Sequence, residues 1–133
     1  MIDYSAILKQ TPNGVLATHD GKSVRTRVFQ YLFADGNKVY FCTSSQKPVY
    51  EQLKANPNAS FCCYPTDFNP VLSINGKARF VDDIALKTRA LDENPLIKGI
   101  YGAPDNPTFQ IFYIDVEEAE TFSFTEGSKI YKL

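Results

Sequence analysis

The stretch from Val24 to Lys47 constrains the fold most. Val24–Phe33 and Lys38–Thr43 are both rich in β-branched and aromatic residues, as strands are. Between them lies Ala34-Asp35-Gly36-Asn37. Asp-Gly supplies central residues that accept a positive φ, so the stretch predicts a tight hairpin turning on Asp35 and Gly36. That turn would pair Phe33 with Lys38, Phe29 with Cys42 and Arg27 with Ser44, and leave Arg25 beside Gln46. Both arginines would then meet the polar turn Thr43-Ser44-Ser45-Gln46-Lys47, where the second strand gives way to a helix. Ser45 is the expected N-cap, and Pro48 suits a first helical turn. A helix start offers free N–H groups and partial positive charge. Three hydroxyls, one Lys and two Arg around it would make a phosphate cradle. The alternative is a solvated hairpin face with Ser45 as a plain cap.

The other elements follow from periodicity and punctuation. A short helix is expected over Ile2–Thr11, closed by Pro12, and a strand over Gly14–His19. Asp20-Gly21 predicts another tight turn, pairing Thr18 with Ser23 and Leu16 with Arg25. A helix over Gln46–Ala55 precedes an apolar, central strand over Ala59–Tyr64. A long strand spans Val71–Val81, with Gly76 marking a bulge or bend. Asp82-Asp83 cap a helix over Ile84–Asp92, and Pro95 opens a shorter one ending at Tyr101. Thr108–Val116 reads as a strand apolar on both faces, so a second subunit is expected to cover one of them. Thr121–Phe124 reads as the last strand, and Glu117-Glu118 between them as a solvated charge run. The pattern predicts a mainly β chain with inserted helices: a six- to seven-stranded antiparallel barrel forming a single domain over residues 1–133.

Composition narrows the function classes. A net charge of −1 argues against a non-specific nucleic-acid binder. No apolar run is long enough to span a bilayer, and Met1-Ile2-Asp3-Tyr4 carries no signal-peptide pattern, so a cytoplasmic protein is expected. Ten Phe and eight Tyr exceed what a small core usually needs, so some are expected at a flat ligand or a subunit interface. Cys42, Cys62 and Cys63 all fall in strand-like runs and read as buried hydrophobes rather than a disulfide or metal set. His19, the one histidine, sits at a hairpin tip beside Asp20 and reads as a surface residue.

Five segments taken in order are similar to one family: Gly14–Thr18, Arg25–Phe29, Tyr40–Lys47, Leu53–Asn58 and Ile74–Ala78. They resemble the pyridoxamine 5′-phosphate oxidase-like FMN-binding split-barrel family over nearly the whole chain. The resemblance implies a split β-barrel and a homodimer with one FMN per subunit at the dimer interface. It also implies that Arg25, Thr26, Arg27, Val28 and Phe29 run along the cofactor, with Thr43, Ser44, Ser45 and Lys47 at its phosphate. The chain stops at Ile130-Tyr131-Lys132-Leu133 and lacks the Arg- and Trp-bearing final strands of the vitamin oxidases. It therefore looks more like the small flavin reductase or nitroimidazole-resistance-type relatives.

The expected function is that of an FMN oxidoreductase passing a hydride or electrons from reduced FMN to a small acceptor, with NAD(P)H as a possible donor. No acid–base dyad is needed for that chemistry, and the catalytic residues are not assigned. Alternatives are a non-catalytic flavin carrier, or a split barrel holding haem or a deazaflavin. For the deazaflavin, Lys77 and Arg79 are the basic residues to consider.

Overall fold

The computed structural model describes residues 3–133. Ile2, where the first helix was expected to begin, lies outside the described residues. Helix α1 covers Tyr4–Gln10; the Asp3 carboxylate caps it by accepting from the Ala6 N–H, and Tyr4 and Leu8 are buried. Strands β1 (Asn13–His19) and β2 (Val24–Gln30) form an antiparallel pair. Their turn is wider than Asp20-Gly21 alone, because the Asp20 carboxylate accepts from the N–H groups of both Lys22 and Ser23. The register is therefore Thr18↔Arg25 and Leu16↔Arg27, two residues from the expected one, which keeps every side chain on its expected face.

The expected long hairpin does not form. After β2 the chain bends at Tyr31-Leu32: the Tyr31 N–H donates to the Pro12 carbonyl at 2.7 Å and the Leu32 N–H to the Tyr40 carbonyl at 3.1 Å. Only the short β3 (Phe33–Asp35) then pairs with β4 (Lys38–Ser44). Asp35 pairs with Lys38, so Gly36 and Asn37 occupy the turn, and Gly36 adopts a φ of 59°. Arg27 thus lies opposite Leu16, and Ser44 opposite Phe109, instead of opposite each other.

Helix α2 (Pro48–Ala55), strands β5 (Asn58–Cys63) and β6 (Val71–Val81), helices α3 (Ile84–Glu93) and α4 (Pro95–Tyr101), and strands β7 (Phe109–Ser123) and β8 (Gly127–Lys132) complete the order. The eight described strands make one antiparallel sheet in the order β2-β1-β5-β6-β7-β4-β3, with β8 beside the second half of β7. This is at least one strand more than expected. The two last predicted strands are one, and β8 follows them. A bulge lies where Asn75 pairs with Glu118 but Gly76 with Val116, leaving Glu117 unpaired. Glu117-Glu118 is therefore part of β7 rather than a separate charge run, and Glu118 accepts from Asn75 and Lys132.

The sheet curls around a core of Leu16, Phe41, Phe61, Leu72, Ile74, Phe112 and Ile114, with α1 and α2 contributing Leu8, Val49 and Leu53. Phe29 meets Phe41 and Phe112 at ring distances of 6.1 and 5.7 Å, so β2 closes on β4 and β7 by packing, not by hydrogen bonds. A second core lies on the outer face of β4 and β7. There Tyr40, Phe109 and Ile111 pack under Ala90, Leu91 and Ile97 of α3 and α4. The apolar second face of β7 is thus covered by the chain's own helices, not by another subunit.

Candidate functional site

The split in the barrel holds the candidate site. β2 ends the sheet with one hydrogen-bonded neighbour, so its other edge presents unpaired backbone N–H and C=O groups. Along that edge runs a trough. Its larger part, about 680 Å³, is lined by Arg25, Thr26, Arg27, Val28, Phe29, Lys47 and Gln52, among others. A smaller arm of about 160 Å³ shares Val28, Phe29 and Lys47 and continues to Cys42, Ile97, Ile100 and Tyr101. One end therefore carries three cations against the carboxylate of Asp20, and the other is apolar. Such a shape suits a ligand with an anionic head and a flat apolar body.

The two arginines are held differently. Arg25 Nε donates to Asp20 Oδ2 at 2.7 Å, leaving its terminal nitrogens to other acceptors. That guanidinium and the Ser23 and Lys22 N–H groups hold the Asp20 carboxyl well below the usual carboxylate range. Arg27 reaches inward: Nη1 donates to Thr18 Oγ1 at 2.8 Å and to the Leu16 carbonyl at 3.1 Å, and Nη2 to Gln52 Oε1 at 2.8 Å. Burial lowers the Arg27 pKa from its ordinary value, though a guanidinium stays charged at any physiological pH. In the apolar arm, burial pushes the Cys42 thiol up to about 12. Burial also raises the Tyr101 hydroxyl, so both stay protonated near neutrality.

The expected site residues divide. Arg25, Thr26, Arg27, Val28, Phe29 and Lys47 line the trough together. Thr43, Ser44 and Ser45 do not line it. Thr43 is buried on the face of β4 that carries Phe41, and its Oγ1 is the buried side-chain polar atom without a partner among the described residues. Ser44 is buried, and its Oγ accepts from the Gln46 N–H. Ser45 is not the N-cap. Lys47 takes that position without a side-chain cap bond, and the Ser45 N–H donates to the Thr108 carbonyl. The β2–β4 register that would set these hydroxyls beside the arginines is absent, and the hydroxyls that the family resemblance also implied at the phosphate lie outside the trough's lining. The trough also gains Gln52, Val49 and the α4 residues. Gln52 lies one helical turn after Pro48, so the α2 pattern carried a signal for it. Nothing local in the sequence pointed to α4. His19 stays at its hairpin tip, where Nδ1 accepts from the Gly21 N–H.

An antiparallel barrel left open along one strand edge, with a cationic trough at the opening, places this chain in the split-barrel class. The pyridoxamine 5′-phosphate oxidase family profile matches residues 3–123, and the chain belongs to that family. No curated protein matches it in sequence. Among solved structures it is similar to a NimC/NimA family protein from Clostridium acetobutylicum, with 24% identity, a TM-score of 0.86, and coverage of 96% of this chain and 88% of that one. A protein related to general stress protein 26, of the pyridoxine phosphate oxidase family and from the same organism, has 15% identity, a TM-score of 0.82, and coverage of 98% and 92%. A heme binding protein from Mycobacterium smegmatis has 18% identity and a TM-score of 0.78; the match covers 95% of this chain and 55% of that one. At these identities the likeness shows the fold.

Proposed function

We propose that the chain binds FMN in the trough beside β2, as a homodimer with the flavin at the subunit interface, and serves as an oxidoreductase toward a small acceptor. The observation that supports this most is the trough's polarity: Arg25, Arg27 and Lys47 at one end, Val28, Phe29, Ile97 and Tyr101 toward the other. The residues fit the group. A phosphate monoester carries close to two negative charges, which the three cations balance after Asp20 is counted.

FMN, when bound, supplies hydride or electron transfer, with NAD(P)H as the proposed donor. The protein's own groups bind and tune. Lys47 and Arg25 attract the head group, while Arg27 holds β2 against α2 and fixes the trough's width. The free β2 edge offers backbone donors and acceptors to the polar rim of a heterocycle. Phe29 and Ile97 exclude water, and Cys42 and Tyr101 stay neutral beside them.

For haem, the trough offers no histidine, and burial keeps both its cysteine Cys42 and its tyrosine Tyr101 protonated. For a deazaflavin, neither Lys77 nor Arg79 lines the trough, and Lys77 reaches Asn58 and Glu117 instead. Both features favour FMN. The test is the visible spectrum of the purified protein after incubation with FMN and desalting, followed by NAD(P)H oxidation. Retained flavin absorbance with turnover above free FMN supports the oxidoreductase. Retained flavin without turnover makes it a carrier. No retained flavin ends the reading.

A further inference from the structure

Gln52 sits at the polar end of the trough, on α2, and its amide is fixed by a closed triangle. Arg27 Nη2 donates to Gln52 Oε1 at 2.8 Å, and Arg27 Nη1 donates to Thr18 Oγ1 at 2.8 Å. Thr18, having accepted from Arg27, gives its own proton to Gln52 Oε1 at 2.7 Å. A guanidinium has no acceptor atom, so the Gln52 atom facing Arg27 must be the oxygen. The usual ambiguity of an amide's two ends is therefore removed by chemistry. Both lone pairs of Oε1 are spent. Nε2, with two N–H donors, is left without a partner among the described residues, and Gln52 lines the trough beside Arg25, Arg27 and Lys47.

We infer that Gln52 is a specificity-determining residue of the anion site: its oxygen fixes Arg27, and its Nε2 donates to the phosphate of a monophosphate ligand. This rests on reading the trough as the FMN site. The arrangement has a clear logic. A glutamate at this position would hold Arg27 at least as firmly, but would set a second carboxylate beside Asp20 where an anion must enter. A glutamine holds the same cation and adds donors in place of charge. It lets the site tell a phosphorylated ligand from its unphosphorylated form, because only the former reaches the amide.

The test is Gln52→Glu in the full chain, with FMN and riboflavin titrated by fluorescence quenching. The variant keeps both acceptor bonds of the triangle, so its thermal midpoint should stay near that of the parent. FMN affinity should fall roughly tenfold or more, while riboflavin affinity changes less than twofold. Equal losses for both flavins, or no loss for either, would overturn the inference. A second readout needs no variant. Exchanging chloride for inorganic phosphate at constant ionic strength should shift the Gln52 side-chain amide NMR resonances of the parent protein, and resonances that stay put would also overturn it. If those resonances shift but no flavin binds, the cofactor reading fails and the anion role of Gln52 stands.

Discussion

Cys42 is a residue whose chemistry departs far from its free form. It sits at the apolar arm of the trough, and burial outweighs the pull of the Lys47 charge, lifting the thiol to about 12. A raised thiol pKa favours the protonated folded state. Its contribution is complete below the ordinary cysteine range near 9.0 and is lost as pH rises from there through about 12. Cys42 should therefore resist maleimide at pH 8, and a protected trough should slow the reaction further when FMN is present. Mass mapping of the labelled peptide would show it; rapid labelling of Cys42 in the folded protein would contradict the burial. Arg27 is the other decisive side chain. Arg27→Lys keeps the charge but cannot serve Leu16, Thr18 and Gln52 together. It should cost about 1–3 kcal/mol in urea unfolding, since partly buried acceptors lose their donor. FMN affinity should fall as well.

Among the elements, β6 shows what a sequence can reveal. Its bounds, Val71–Val81, and its irregularity at Gly76 were both readable from an alternating run broken by one glycine. A Cβ at Gly76 would lie 2.0 Å from the Asp115 carbonyl oxygen, so the close approach of β7 allows no side chain there. Gly76→Ala should cost about 3 kcal/mol or more, because backbone on both sides must move. A thermal midpoint within a few degrees of the parent would show that the bulge can relax. The same bulge hid the continuity of β7. Glu117 is the extra residue, so the two-residue alternation slips by one and a single strand read as two. The β2–β4 hairpin was misread for another reason. Gln30-Tyr31-Leu32-Phe33 has no turn residue, and the bend there is set by bonds to Pro12 and Tyr40, which only the folded sheet supplies. Part of the expected cluster still meets in one trough. Arg25, Arg27 and Lys47 converge through the curl of the barrel, whereas Thr43, Ser44 and Ser45, expected there from the hairpin register and the family resemblance alike, lie outside its lining. The cover that α3 and α4 give to β7 is a long-range contact, and local periodicity carries no sign of it.

At the scale of the whole molecule, the faces left open matter most. No helix among the described residues is long and apolar enough to cross a membrane. The outer face of β1 and β2 nonetheless carries Val15, Val24 and Val28, with Val24 67% and Val28 74% exposed. Val15 pairs directly with Val28, so these two side chains form one patch at the rim of the trough, and Val24 lies on the same face further along β2. Leu96 and Ile100 of α4 extend apolar surface along the other rim. Isolated exposed valines need no explanation, but a contiguous patch bordering a ligand trough is what a subunit interface over the flavin requires. The expected mass in light scattering is twice 15.0 kDa. Val28→Asp places a charge in that patch while disturbing no core contact, so the monomer's own unfolding free energy should change by less than about 0.5 kcal/mol. The variant should scatter as a monomer and lose FMN in the same step, because the site would then be open on one side and a carboxylate would stand on the trough's own wall. A parent protein that is monomeric at micromolar concentration, yet still holds flavin, would remove the second subunit from the site. A Val28→Asp dimer with normal flavin content would place the interface elsewhere on the barrel.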